Sequence, residues 1–275
     1  MRKKVLEISC YVAGAGAFGV FLRWLQDQLA FNDKGLPDPS AFHVLLPLYL
    51  VAAALLFWRF VKHFEKANLV MPEEFCGAFA NEGKLYALLR WTIGLLMSAG
   101  GLLLLMTSEL DKYAGMLRVI SLTAIVAGLS FIVLMSAANR EKVSPTLLCV
   151  CAFVPIFLYA TWLIYDYRSN SINPVVWSYA MEVVTVIMAM IAFFRVAGYV
   201  FNAPNWKRCF FDVMLAAVFC LAALADDRYM GMHVILFASA MMFLFENWVM
   251  ICNLRPGEEK KEEEKTEEED GFERL

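Results

Sequence analysis

A carboxylate inside a long apolar run costs about 2.5–3.5 kcal/mol to insert into a bilayer, so it marks a place where the chain needs chemistry or a partner. Glu182 is the first such residue. It follows Pro174 by eight residues, about 12 Å of helix, which predicts a position near the midplane of a hydrocarbon core about 30 Å thick. Ser178 and Thr185 stand four residues before and three after it, and so share its helix face. This trio predicts a solute or proton site, or interhelical glue. A second set lies deeper along the chain: Glu246, Arg90, Asp212 and Glu7 are expected at one level near the inner surface, as an ion-pair layer or a substrate site. There Arg90 is expected to pair with Glu246, and Asp212 with Lys207 or Arg208. Ser239, Glu246 and Asn253 recur every seven residues, a polar stripe on one helix. At the opposite face Arg118, His43 and His233 begin three apolar runs. Two imidazoles from distant segments near Asp226 and Asp227 do not make a convincing metal set, and no metal is expected.

Enzymatic signatures are missing from the sequence. It contains no Walker A loop, no His-Glu-x-x-His and no Gly-x-Ser-x-Gly, and no nucleophile stands beside a base, so no catalytic residue and no cofactor are expected. The seven cysteines occupy apolar runs or basic-side segments, which implies reduced thiols. Cys149 and Cys151 point about 200° apart on a helix and cannot share an ion.

The elements that must position these groups follow from composition. Of 275 residues 60% are hydrophobic and 19% charged, too few polar groups to coat a soluble globule. Runs near twenty apolar residues occur at Val5–Trp24, Ala41–Phe60, Leu85–Met106, Gly115–Ala137, Pro145–Tyr165, Pro174–Phe194, Cys209–Ala225 and Met232–Cys252. Continuous apolarity excludes the alternation of a β-barrel, so an all-α polytopic membrane protein with eight transmembrane helices is expected. Assigning the basic residues to alternate sides puts eighteen on the side of the termini and six (Arg23, Lys34, Lys112, Arg118, Arg168, Arg228) on the other, together the 24 of the chain. By the positive-inside rule both termini are expected to be cytoplasmic. The Met1-Arg2-Lys3-Lys4 start resembles a secretory leader, but the apolar run that follows is long enough to span.

The net charge of −3 comes from the tail, where ten acids fall between Glu258 and Glu273. Residues 255–275 are expected to be a solvated cytoplasmic tail, and nucleic acid is not an expected partner. The 61–83 loop, with Pro72, Phe75 and Phe79, predicts a short helix on the inner membrane surface; loop and tail are the two candidate docking points for a protein partner.

One internal echo stands out. Asp111-Lys112-Tyr113-Ala114-Gly115-Met116 precedes the fourth span and Asp227-Arg228-Tyr229-Met230-Gly231-Met232 the eighth, 227 − 111 = 116 residues apart. Four spans separate the copies, predicting two parallel four-helix halves, about 1–142 and 143–254, related by a two-fold along the membrane normal. The best reading is a protein in the lipid bilayer that binds or transports a small-molecule solute between its halves around a midplane Glu182. A structural or regulatory subunit acting through protein partners is the alternative, and a membrane-embedded enzyme the third. In a background stripped of native cysteines, cysteine at Lys34, Lys112 or Arg168 should react with an impermeant maleimide from outside the cell, and cysteine at Lys260 only after permeabilisation; the reverse pattern overturns the orientation.

Overall fold

The computed structural model describes residues 2–31, 42–140, 143–173 and 175–257. The acidic tail beyond Gly257 and the connection carrying Lys34 lie outside the described residues. Nine α-helices follow one another: α1 (Arg2–Leu29), α2 (Phe42–Lys66), α3 (Phe75–Ala78), α4 (Lys84–Thr107), α5 (Ala114–Ala137), α6 (Pro145–Asn170), α7 (Val176–Val200), α8 (Trp206–Ala222) and α9 (Met230–Cys252). All but α3 are long and apolar enough to cross a membrane. Large apolar side chains such as Leu48, Leu88, Phe153 and Met106 are exposed along their outer faces, a belt that only lipid would solvate well. The chain is an integral, multi-pass membrane protein.

Short connections make hairpins. α1 packs on α2, α4 on α5, α6 on α7 and α8 on α9. Within the bundle α8 and α9 are central, with 67% and 72% of their apolar windows buried, whereas α2 is peripheral at 22%. Small residues set the closest approaches. A Cβ at Gly128 of α5 would overlap the Gly94 carbonyl of α4, and one at Gly101 would sit 2.7 Å from the Ser121 carbonyl. Ser98 bridges the same seam, its Oγ donating to the Gly94 and Ile125 carbonyls at 3.1 and 3.0 Å. Gly16 and Gly19 let α1 lie against Leu221 and Ala222 of α8.

The two-fold expected from the sequence does not organise this packing. α4 lies on α9 and α1 on α8, while the pairs such an axis would make equivalent, α8 with α5 and α6 with α4, are not packed neighbours. The two turns that carry the echo share their local geometry. Each copy has a 3-10 turn, Ser108–Leu110 or Ala223–Ala225, closed by an aspartate amide bonding back at 3.3 Å, then a tyrosine whose carbonyl accepts the first helical amide at 2.9 Å. Asp111 therefore corresponds to Asp226 rather than Asp227, with one extra residue before the second tyrosine.

The 61–83 connection also departs from expectation. Its helix α3 is a single turn plugged into the end of the bundle. Phe75 and Phe79 stack with centroids 5.2 Å apart, and Phe79 meets Tyr199 of α7 edge-on at 5.3 Å. Burying both rings against the core removes more apolar surface from water than lying on the membrane would. Two asparagines knit the segment down: Asn139 after α5 exchanges bonds with Asn81, and Asn253 after α9 donates to the Ala78 and Ala80 carbonyls, both at 2.9 Å. Strands β1 (Leu69–Val70) and β2 (Arg255–Pro256) pair antiparallel beside them.

Because the α4–α5 seam is backbone against backbone, Gly128→Leu should lower stability by about 1–3 kcal/mol or more in a reversible denaturation assay. Gly115→Ala, where a methyl meets nothing within 4 Å, should instead gain about 0.5–1 kcal/mol.

Candidate functional site

The end of the bundle where α1, α4, α6 and α8 finish gathers most of the buried charge. α1 runs past the apolar stretch to Leu29 and carries Arg23, which is 4% exposed and bonds Asp226 through Nε at 2.5 Å. Gln26, one turn on, receives Arg23 Nη1 at 2.8 Å. Asp226 closes the 3-10 turn after α8, and its second oxygen takes Arg228 Nη2. Arg228 also caps the Ala223 carbonyl with Nη1 at 3.2 Å, where a cation suits the negative end of α8. Its Nε forms an ion pair with Glu182 at 3.3 Å, and the other Glu182 oxygen accepts from Trp162 Nε1 of α6 at 3.0 Å. Three helices, α1, α7 and α6, and the connection between α8 and α9 are thus tied by an alternating chain, Arg23–Asp226–Arg228–Glu182–Trp162.

Glu182 lies nearer the start of α7 than its middle. α7 begins at Val176, so Glu182 falls in its second turn, and helical side chains lean toward the N-terminus. The carboxylate therefore reaches back to the connection that holds Arg228. Its predicted companions separate. Thr185 is buried and spends its hydroxyl on the Met181 and Phe219 carbonyls at 2.7 and 3.3 Å. Ser178 is exposed, donating to Val175 and accepting from Asn173.

Next to Glu182 stands Asp166, on the part of α6 that continues beyond the apolar run to Asn170. It is 1% exposed, no donor meets hydrogen-bond geometry at either oxygen, and Glu182, Arg228 and the Trp162 indole stand close enough to act on it. A third acid closes the site. Asp111 accepts Tyr165 and Tyr229 hydroxyls at 3.0 and 3.1 Å on one oxygen and the Tyr113 amide at 2.6 Å on the other. Burial and the Asp111 carboxylate push the Tyr229 phenol above its ordinary value. Between these groups opens a cavity of about 430 Å³ whose wall includes Asp166, Glu182, Arg228, Tyr165, Tyr229 and Ser169.

The remaining expected residues are dispersed. His233 braces the site from behind, its ring nitrogens 2.9 Å from the Asp226 carbonyl and 3.3 Å from that of Tyr229. His43 is buried between Phe31 and Trp177, with neither ring nitrogen hydrogen-bonded. Arg118 makes an exposed ion pair with Glu109 at 3.0 Å. At the other end, Arg90 does not pair with Glu246. It turns to the α3 segment and donates to Asn81 Oδ1 at 2.9 Å, while Glu246, 1% exposed on α9, faces toward Cys209 of α8 with Oε2 unpartnered. Adjacent helices brought their depths together but not their faces. Asp212 pairs with Arg195 at 3.1 Å rather than with Lys207, which goes to Glu65. Glu7 is exposed. No layer of four forms.

Sequence reading missed Asp166, Arg23 and Trp162 as site residues. The available signal was Tyr165-Asp166-Tyr167, an acid flanked by aromatics at the end of a run and set in helix by the residues after it. Among the described residues no group of three or more His, Cys, Asp or Glu gathers as a metal site. Compared with protein families, curated proteins and solved structures, the chain matches none.

Removing Arg228 leaves Glu182 without its cation, while Asp226 keeps Arg23. Arg228→Leu should destabilise the protein by about 3–5 kcal/mol, since breaking a buried pair leaves uncompensated charge. Adding Glu182→Gln to that variant should restore part of the loss, measured as a double-mutant cycle; strict additivity would mean the pair is not coupled.

Proposed function

We propose that this membrane protein binds a small solute in the cavity at the end of α6 and α7, with Glu182 and Asp166 as its principal polar contacts. The observation that carries this reading is the cavity itself. At about 430 Å³ it falls within the usual range for small-ligand sites, and its wall is mainly polar, with Asp166, Glu182, Arg228, Ser169 and Asn170 converging beside Tyr165, Tyr229 and Met232. One of those polar groups, Asp166, is a buried carboxyl with no donor in hydrogen-bond geometry, where a merely structural side chain would be expected to have a full set of partners. Applied to these helices, the distribution of basic residues puts the cavity on the external face and both termini in the cytoplasm.

Passage through the bundle is the natural extension. Ser239 bonds Tyr159, which stacks on Trp162 with centroids 6.0 Å apart, and one stripe of α9 carries Ser239, Glu246 and Asn253 from the cavity end to the α3 segment. This discontinuous polar line supports transport over simple binding. The related loops at 108–113 and 223–229 fit descent from one hairpin, used once to supply Asp111 and once to supply Asp226 and Arg228. A structural or regulatory role has its own support: at the opposite end Asp212 and Glu65 are both paired within the chain.

Ser169, in the cavity wall, gives the test. A panel of soluble amines, acids, sugars and amino acids should contain members that raise the thermal midpoint of the purified protein with concentration, the stabilisation reaching about 2.7 kcal/mol at a hundredfold excess over Kd. Ser169→Trp, which fills the cavity, should abolish that response while leaving the unliganded midpoint near wild type. A panel without effect, or effects that survive Ser169→Trp, would reject the cavity as a solute site.

A further inference from the structure

The charge around Asp166 is unbalanced. Arg23 and Arg228 are the cations at this end of the cavity, and both are committed: Arg23 to Asp226, Arg228 to Asp226 and Glu182. Against them stand Asp226, Glu182, Asp166 and, at the rim, Asp227. Asp166 is the acid left over. It is 1% exposed, has no donor in hydrogen-bond geometry, and sits in the wall of the cavity. A buried carboxylate without a donor is costly, and a cation in the cavity would remove that cost.

Asp166 and Asn170 also border a second cavity, of about 530 Å³, between α6 and α7. Its other walls are of a different kind, formed by Leu163, Tyr167, Tyr179 and Val183 among others. The carboxylate therefore stands where a polar chamber meets an apolar, partly aromatic one. A bare alkali ion would use only the first. An ammonium group carrying an apolar substituent would use both, its charge at Asp166 with Glu182 behind, and its hydrocarbon between Leu163 and Val183, where tyrosine rings also favour a cation.

We propose that the solute is an organic ammonium ion with an apolar substituent, held by Asp166 at the junction of the two cavities. This rests on the solute-binding reading above and specifies its substrate class. Arg228 is committed to Glu182 and Asp226, and an ammonium bound beside Asp166 would hold that buried acid in its ionised form.

Full-length protein in dodecyl maltoside provides the test, with phenethylammonium chloride as probe and 2-phenylethanol, 3-phenylpropionate and sodium chloride at matched ionic strength as controls. Phenethylammonium should raise the thermal midpoint with concentration and the controls should not. Equilibrium dialysis of the probe should give the Kd that this rise implies. Asp166→Asn removes an unpartnered charge rather than a partnered one, so that variant should be at least as heat-stable as wild type, yet bind phenethylammonium at least tenfold more weakly. Val183→Trp, which narrows the apolar chamber, should weaken phenethylammonium but not methylammonium. Undiminished binding to Asp166→Asn, or a like effect of sodium alone, overturns the proposal. Stabilisation in phosphatidylethanolamine nanodiscs but not by free amine would assign the ammonium to a lipid and overturn it as well. If phenylpropionate or phenylethanol binds and Ser169→Trp blocks it, the cationic assignment fails and the solute site stands. If neither these probes nor any solute of the wider panel acts, both fail.

Discussion

The ion pair between Arg23 and Asp226 joins two residues 203 positions apart, and much of the architecture depends on it. An arginine on α1 draws that helix onto α8, where Gly16 and Gly19 permit the approach. Asp226, once held, can orient Arg228, and Arg228 in turn reaches Glu182 on α7. In water such pairs are nearly neutral in their effect on stability. Here the side chains of both arginines are 3–4% exposed, and each link loses its rationale when its neighbour is removed.

The eight long helices were legible in the sequence because hydrocarbon forces each span to satisfy its own backbone, and that demand writes itself as uninterrupted apolar runs. Ends were legible less well. α1 and α6 each run five residues past the apolar stretch, since a helix does not stop where its hydrophobicity does, and the overhangs carry Gln26 and Asp166. Partners were the least legible. Depth along a helix follows from counting, but which face meets which neighbour depends on rotations set by small residues distributed over the whole bundle. Hence Arg90 and Glu246 lie on packed helices, α4 and α9, and still look different ways. The Asp-base-Tyr echo was visible as spelling, yet the structure moves its alignment from Asp227 to Asp226 because the 3-10 turn, invisible in the letters, is the true common element.

The two ends of the bundle manage polarity differently. Around α3, amides do the work: Asn81, Asn139 and Asn253 satisfy backbone carbonyls and one another, a neutral latch that costs little to bury when complete. Around Glu182 the currency is charge, and it is incomplete at Asp166. At the α3 end Arg90 joins the amides through Asn81 and the nearby acids Asp212 and Glu65 are paired, whereas at the other end the buried Asp166 has no donor in hydrogen-bond geometry. Glu246 and Asn247, buried on α9 with unpartnered polar atoms, keep the middle of the bundle from being wholly apolar.

The span of 203 residues between Arg23 and Asp226 also has a cost in time. Chains are made at about 5–20 residues per second, so α1 precedes its partner aspartate by about 10–40 s. For most of that interval the guanidinium has Gln26 beside it, one turn away on its own helix, until Ser178 brings the carbonyl that accepts its Nη2 at 3.4 Å. It must wait at the lipid headgroups, its stem lying along the helix, or in the insertion machinery, and the hairpin of α1 and α2 is complete long before it can dock. The last pair of helices then arrives carrying the group that recruits the first. Assembly of this bundle is closed from its C-terminal side, and a chain shortened before Asp226 would leave α1 in the membrane with a charge that nothing answers.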